Sequence, residues 1–131
     1  MEIWRMAWRK GVAPLLSRDE LSCLAAALSA DDPRLIQGAT THPLPLDACD
    51  RPRRAVEAAC PLGYCGWQTG DLLCVSEVEE YFAAICYEID LRLGERGGCR
   101  WFLNFVDETP RPQMLRELLR EVELALVRYG G

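Results

Sequence analysis

The sequence has no stretch of about 18 consecutive apolar residues, the length a helix needs to cross a bilayer, so no transmembrane helix is expected. It opens Met1-Glu2-Ile3-Trp4-Arg5, with no continuous apolar segment of the kind that marks a secretory signal. The expectation is a cytoplasmic protein without membrane association. It also lacks a surplus of positive charge: 15 Lys and Arg stand against 20 Asp and Glu, a net charge of −5. Such a chain is repelled by phosphate backbones, and no nucleic-acid partner is expected. Arg5, Arg9, Lys10 and Arg18, and then Arg51, Arg53 and Arg54, form small cationic clusters that read as solvated arginines near helix ends.

Chemical motifs are missing as well. The chain has no Gly-x-Gly-x-x-Gly, no phosphate loop, no Gly-x-Ser-x-Gly and no His-Glu-x-x-His. Histidine occurs once, at His42. It precedes Pro43, which biases its backbone to an extended form, and a lone histidine beside a proline is a poor general base. The carboxylates Glu77, Glu79 and Glu80 are explained by the start of a helix, whose dipole they complement. No catalytic residues are assigned.

Cysteine, by contrast, is plentiful. Seven are spread through 131 residues, an odd number that cannot all pair within the chain. With no export signal, free thiols are expected. Cys23 and Cys86 sit among apolar neighbours and read as small buried hydrophobes. No Cys-x-x-Cys occurs, which argues against a redox motif and against a paired zinc site. Cys60 and Cys65, with Cys49 and His42, are the residues a metal would use, and zinc is the ion they would hold. No cofactor is expected in the principal reading.

The length suits one domain, residues 1–131. Its organisation reads as a helical start, an irregular middle and a helical end. Trp4 and Trp8 share one face of a short helix over residues 3–10, which Gly11 would stop. Ser17 and Glu20 form a capping box opening a helix over residues 17–29, with Leu21, Leu24, Ala25 and Leu28 as its apolar stripe. Asp32-Pro33 reads as the start of a short helix ending at Gly38. Residues 38–75 read as a long Pro/Gly/Cys-rich connection containing a short helix over residues 53–60. Residues 76–93 are the most periodic, with Ser76 and Glu79 as a second capping box and Val78, Tyr81, Phe82, Ile85 and Ile89 on one side. A helix over residues 99–107 follows Gly97-Gly98. A last helix begins at Thr109-Pro110, with Leu118, Leu119, Val122 and Leu126 inward and Arg116, Glu117, Arg120, Glu121 and Glu123 outward. The fold class is therefore mainly α, an irregular bundle of five or six helices. Leu24, Leu28, Phe82, Ile85, Ile89, Leu115, Leu119 and Val122 are expected in its core.

Tyr64 and Trp67 stand in the segment Gly63-Tyr64-Cys65-Gly66-Trp67-Gln68-Thr69-Gly70, which reads as loop. Aromatic residues in loops commonly anchor partner interfaces, so these two are the candidate binding residues. Together with the acidic charge they suggest a small non-catalytic interaction or regulatory protein. Its partner would be another protein, with a basic surface suited to the acidic charge, and a homodimer is the other form considered. Two alternatives belong to other classes: a metal- or thiol-dependent protein built on Cys60 and Cys65, and a small enzyme with a pocket beside the middle loop.

Overall fold

A computed structural model describes residues 1–45 and 54–130. Cys49, Arg51 and Arg53, and with them the candidate ligand role of Cys49, lie outside the described residues. The chain is mainly helical, at 69% against the one-third usual for soluble domains. Among the described residues there are α1 (Ile3–Ala7), α2 (Arg18–Ala30), α3 (Pro61–Thr69), α4 (Val75–Leu93), α5 (Cys99–Glu108) and α6 (Arg111–Gly130). A two-stranded antiparallel pair joins β1 (Thr41–His42) to β2 (Ala58–Ala59), with Thr41 opposite Ala59.

The capping box at Ser17 forms as its spacing requires. The Glu20 N–H donates to Ser17 Oγ at 3.1 Å, and the Ser17 N–H donates to Glu20 Oε1 at 2.9 Å. These bonds satisfy two donors that a helix start leaves unpaired. The second box is displaced. α4 begins at Val75, one residue earlier than expected, and it is Glu77 that accepts from the N–H groups of Leu73 and Cys74. Glu79 is thereby released for another partner, the hydroxyl of Thr41, which approaches its Oε2 at 2.7 Å.

Several local expectations are corrected. Gly11 does not stop the first helix. The chain continues from α1 through a π-helical turn (Trp8–Val12) and a 3-10 turn (Ala13–Leu15). Gly11 is buried there because Leu93 packs against it; an added Cβ would lie 2.9 Å from Leu93 Cγ. Asp32-Pro33 opens no helix, since the Asp32 carboxylate folds onto Arg34, accepting from its backbone N–H at 2.9 Å and pairing with its guanidinium at 2.7 Å. Residues 54–60 are extended rather than helical, because the Ala58-Ala59 backbone pairs with β1. The Cys60–Gly70 stretch is mostly helix α3, not loop.

The core lies between these helices. Leu24, Leu28, Ile85, Ile89 and Val122 are buried as expected, while Phe82, Leu115 and Leu119 pack only partly into it. On α6 the inward face is Met114, Leu118, Glu121, Val122 and Ala125, rotated from the expected stripe. α1 and the π-helical turn after it dock on α5 through aromatic rings: Trp4 stacks on Phe105 with centroids 3.7 Å apart, and Trp8 meets Phe102 at 5.5 Å.

Candidate functional site

Tyr64 and Trp67 do come together, but on a helix. Pro61 supplies the fixed φ that suits a first helical position, and Cys60 caps the start, its sulfur accepting from the Gly63 N–H at 3.5 Å. The two glycines inside α3 allow close packing. A Cβ on Gly66 would fall 2.5 Å from Tyr81 Cε1, and one on Gly63 would fall 3.1 Å from Val78 Cγ1. α3 is therefore pressed onto α4 closer than side chains would permit. Tyr64 is buried on the same helix, its hydroxyl donating to Asp32 Oδ2 at 3.3 Å just beyond the end of α2. Trp67 meets Tyr64 edge-on at 6.1 Å between centroids and keeps part of its indole at the surface.

Cys60 and Cys65 do not face one another's partners. The Cys65 thiol donates to the carbonyl of Glu20 at 3.7 Å, while Cys60 is occupied at the helix cap. Burial pushes the Cys60 thiol up to about 12 and raises Cys65 well above its ordinary range, because a thiolate is poorly solvated there. His42 is exposed on β1. Among the described residues, no three His, Cys, Asp or Glu side chains converge as a metal-holding set. Cys23, Cys60, Cys65, Cys74, Cys86 and Cys99 are free thiols.

A groove with an apolar wall lies elsewhere, along the second half of α4. This groove, of about 690 Å³, is lined by Ala83, Cys86, Tyr87, Asp90, Leu91 and the following turn, Gly94 to Arg96. Tyr87 is 56% exposed and Leu91 60% exposed. They are four residues apart, hence neighbours on one helix face. The turn that closes the groove is rigidly built. Gly94 adopts φ 67°, and the Asp90 carboxylate accepts from the N–H groups of Gly97 at 2.9 Å and Cys99 at 2.8 Å. Burial pushes the Asp90 carboxyl up, but those donors outweigh it, and its pKa lies below the ordinary value. Burial likewise raises the Cys86 thiol, keeping it neutral at physiological pH.

A second arrangement lies outside the stripe expected of α6. Glu121, expected outward, is 1% exposed. Arg9 Nε donates to its Oε1 at 2.8 Å and Arg5 Nη1 to its Oε2 at 2.9 Å, while Arg5 Nη2 reaches Glu117 at 2.8 Å. The Arg9 and then the Arg5 guanidinium hold the Glu121 carboxyl below the usual carboxylate range. The available signal was its register. Met114, Leu118, Glu121 and Ala125 follow the 4-3-4 spacing of an inward stripe. A carboxylate in that stripe needs cations from another element, and Arg5 and Arg9 are spaced four apart to supply them.

Compared with known proteins, this chain matches no protein-family model, no curated protein and no solved structure.

Proposed function

We propose that this chain is a small non-catalytic domain that works by binding another protein, and that the partner seats in the groove along the second half of α4. One observation carries the reading: Tyr87 and Leu91 stand side by side, more than half exposed, on the wall of a preformed groove. Aromatic and large aliphatic side chains grouped in this way are characteristic anchors of protein interfaces. The rim offers Asp90, Glu95 and Arg96 for orientation. The net charge of −5 favours encounter with a partner whose contacting surface is basic. The buried cysteines support a binding role over a nucleophilic one, since burial holds Cys60, Cys65 and Cys86 as neutral thiols.

Trp67, expected together with Tyr64 to carry binding, presents only part of its indole, and contact at α3 would be made by that edge alone. A photoreactive phenylalanine analogue placed at position 87, and separately at position 67, tests the two surfaces in extracts of the native cell. The expected result is an adduct from position 87 that Leu91→Asp abolishes. Adducts from position 67 alone would overturn the α4 assignment in favour of α3. In that case Trp67→Ala would leave stability within about 1 kcal/mol while weakening binding by about 2 kcal/mol or more.

A further inference from the structure

We infer that Cys86 and Cys99 are a redox pair: a peroxide entering the α4 groove closes them to a disulfide that staples α4 to the start of α5. The first ground is placement. Cys86 and Asp90 stand one turn apart on α4, both on the groove wall, and so share a helix face. The Asp90 carboxylate accepts from the Cys99 N–H at 2.8 Å and from the Gly97 N–H at 2.9 Å. The first residue of α5 is thereby pinned to the α4 face that carries Cys86. The side chains complete the arrangement, for the Cys86 thiol hydrogen-bonds to Cys99 and the Cys99 thiol to Asp90. Other thiols have partners that are not sulfur. Cys60 accepts from the Gly63 N–H, Cys65 donates to the Glu20 carbonyl, and Cys74 lies against Ser76 and Glu77. Exposure then orders the pair: Cys86 is half-buried at the groove, and Cys99 is buried behind it.

That order sets the chemistry. The Cys86 sulfur loses its proton and attacks one oxygen of hydrogen peroxide. The O–O bond breaks, one water leaves, and Cys86 carries a sulfenic acid. The Cys99 sulfur then attacks the Cys86 sulfur, and the S–S bond forms as the S–O bond breaks and the second water leaves. Two thiols have given up two electrons and two protons, and one peroxide has become two waters. The sulfurs start as neighbours and end about 2.0 Å apart. Burial raises both thiols above their ordinary range, and only the thiolate attacks. The pair therefore passes over a brief pulse of peroxide and answers a sustained one. Once formed, the bond fixes the turn from Gly94 to Gly98 and takes the Cys86 thiol out of the groove wall. None of these steps depends on what docks in the groove.

Prolonged treatment of the reduced whole chain with hydrogen peroxide tests the inference. The thiols left over are alkylated under denaturing conditions, and the peptides are mapped by mass spectrometry. The expected result is that two of the seven thiols escape alkylation and that Cys86 and Cys99 are recovered in one cross-linked peptide. The oxidised chain should unfold at a higher denaturant concentration, because the bond restricts the unfolded state, and a reductant should reverse the shift. Cys86→Ser should abolish the cross-link. Cys99→Ser should instead leave Cys86 as a sulfenic acid that a cyclic 1,3-diketone captures. Seven alkylated thiols after the treatment, or a disulfide joining any other two cysteines, would overturn the inference. Sulfinic acid on Cys86 of the wild-type chain would also overturn it, since Cys99 would then lie too far away to intercept the sulfenic acid.

Discussion

α3 and the second half of α4 each carry an aromatic residue and small residues, yet they use them in opposite ways. On α3 the small residues are glycines that let α4 fill the space beside them, and Tyr64 is buried on the same helix, near Asp32 at the end of α2. On α4 the small residues are Ala83 and Ala84, exposed beside Tyr87, and no other described element covers that ring. The difference teaches that an aromatic surrounded by small residues does not by itself announce a binding surface. What matters is whether the space the small residues leave is already filled. At Gly66 it is filled by the Tyr81 ring. Along Ala83 to Leu91 it is an open groove.

The contrast can be broken or sharpened by substitution. The largest effect is expected at Tyr64. Truncation to Ala should remove about 3–5 kcal/mol of stability in chemical denaturation, as for other buried aromatics. Gly66→Ala should cost about 1–3 kcal/mol, because a methyl group would collide with a ring that has little room to retreat; an unchanged midpoint would mean that α3 and α4 are not pressed together. Acid should act next, through Glu121. Its folded pKa lies below the ordinary value of 4.5, so its contribution is fully present above that pH and is lost as the pH falls through the folded value. Glu121→Gln should flatten this part of the stability–pH profile, while the region above about pH 6 keeps its slope. The smallest effect is expected at Tyr87, where Ala should change stability by less than about 0.5 kcal/mol. A cost of several kcal/mol there would show the ring to be structural and would erase the difference between the two helices.

Much of the fold could be read from the sequence because helix signals are local. The Ser17–Glu20 box and the apolar spacing along α4 each concern residues within one or two turns. What escaped depends on distant partners. The segment from Cys60 to Gly70 reads as loop because glycine weakens an isolated helix; it is helical because Val78 and Tyr81 occupy the space its side chains would have taken. Gly11 reads as a terminator for the same reason, and Leu93 explains why it is not one. Glu121 reads as solvated because nothing nearby in sequence reveals that Arg5 and Arg9 converge on it. The candidate surface was legible only in outline. An acidic chain without catalytic motifs pointed to binding, but exposure at Tyr87 and Leu91 is a property of the assembled helices. Periodicity gave Tyr87 no assigned role, and the reading of residues 63–70 as a loop drew attention to Tyr64 and Trp67 instead.

The carboxylate of Glu121 has a further consequence, one of timing. Its bond from Arg9 spans 112 positions of the chain, and the rings that cover Trp4 and Trp8 belong to Phe105 and Phe102. During synthesis the first helix is made long before anything exists for it to dock on. At 5–20 residues per second, Trp4 and Trp8 wait on the order of 5–20 s for their partners to emerge. For that interval the chain displays two tryptophans, and an Arg9 still without its carboxylate partner, on a helix too short to persist alone. A segment made before its partners is therefore among the last to be secured, and a nascent chain stalled before α5 and α6 carries an uncovered apolar handle for a chaperone to hold.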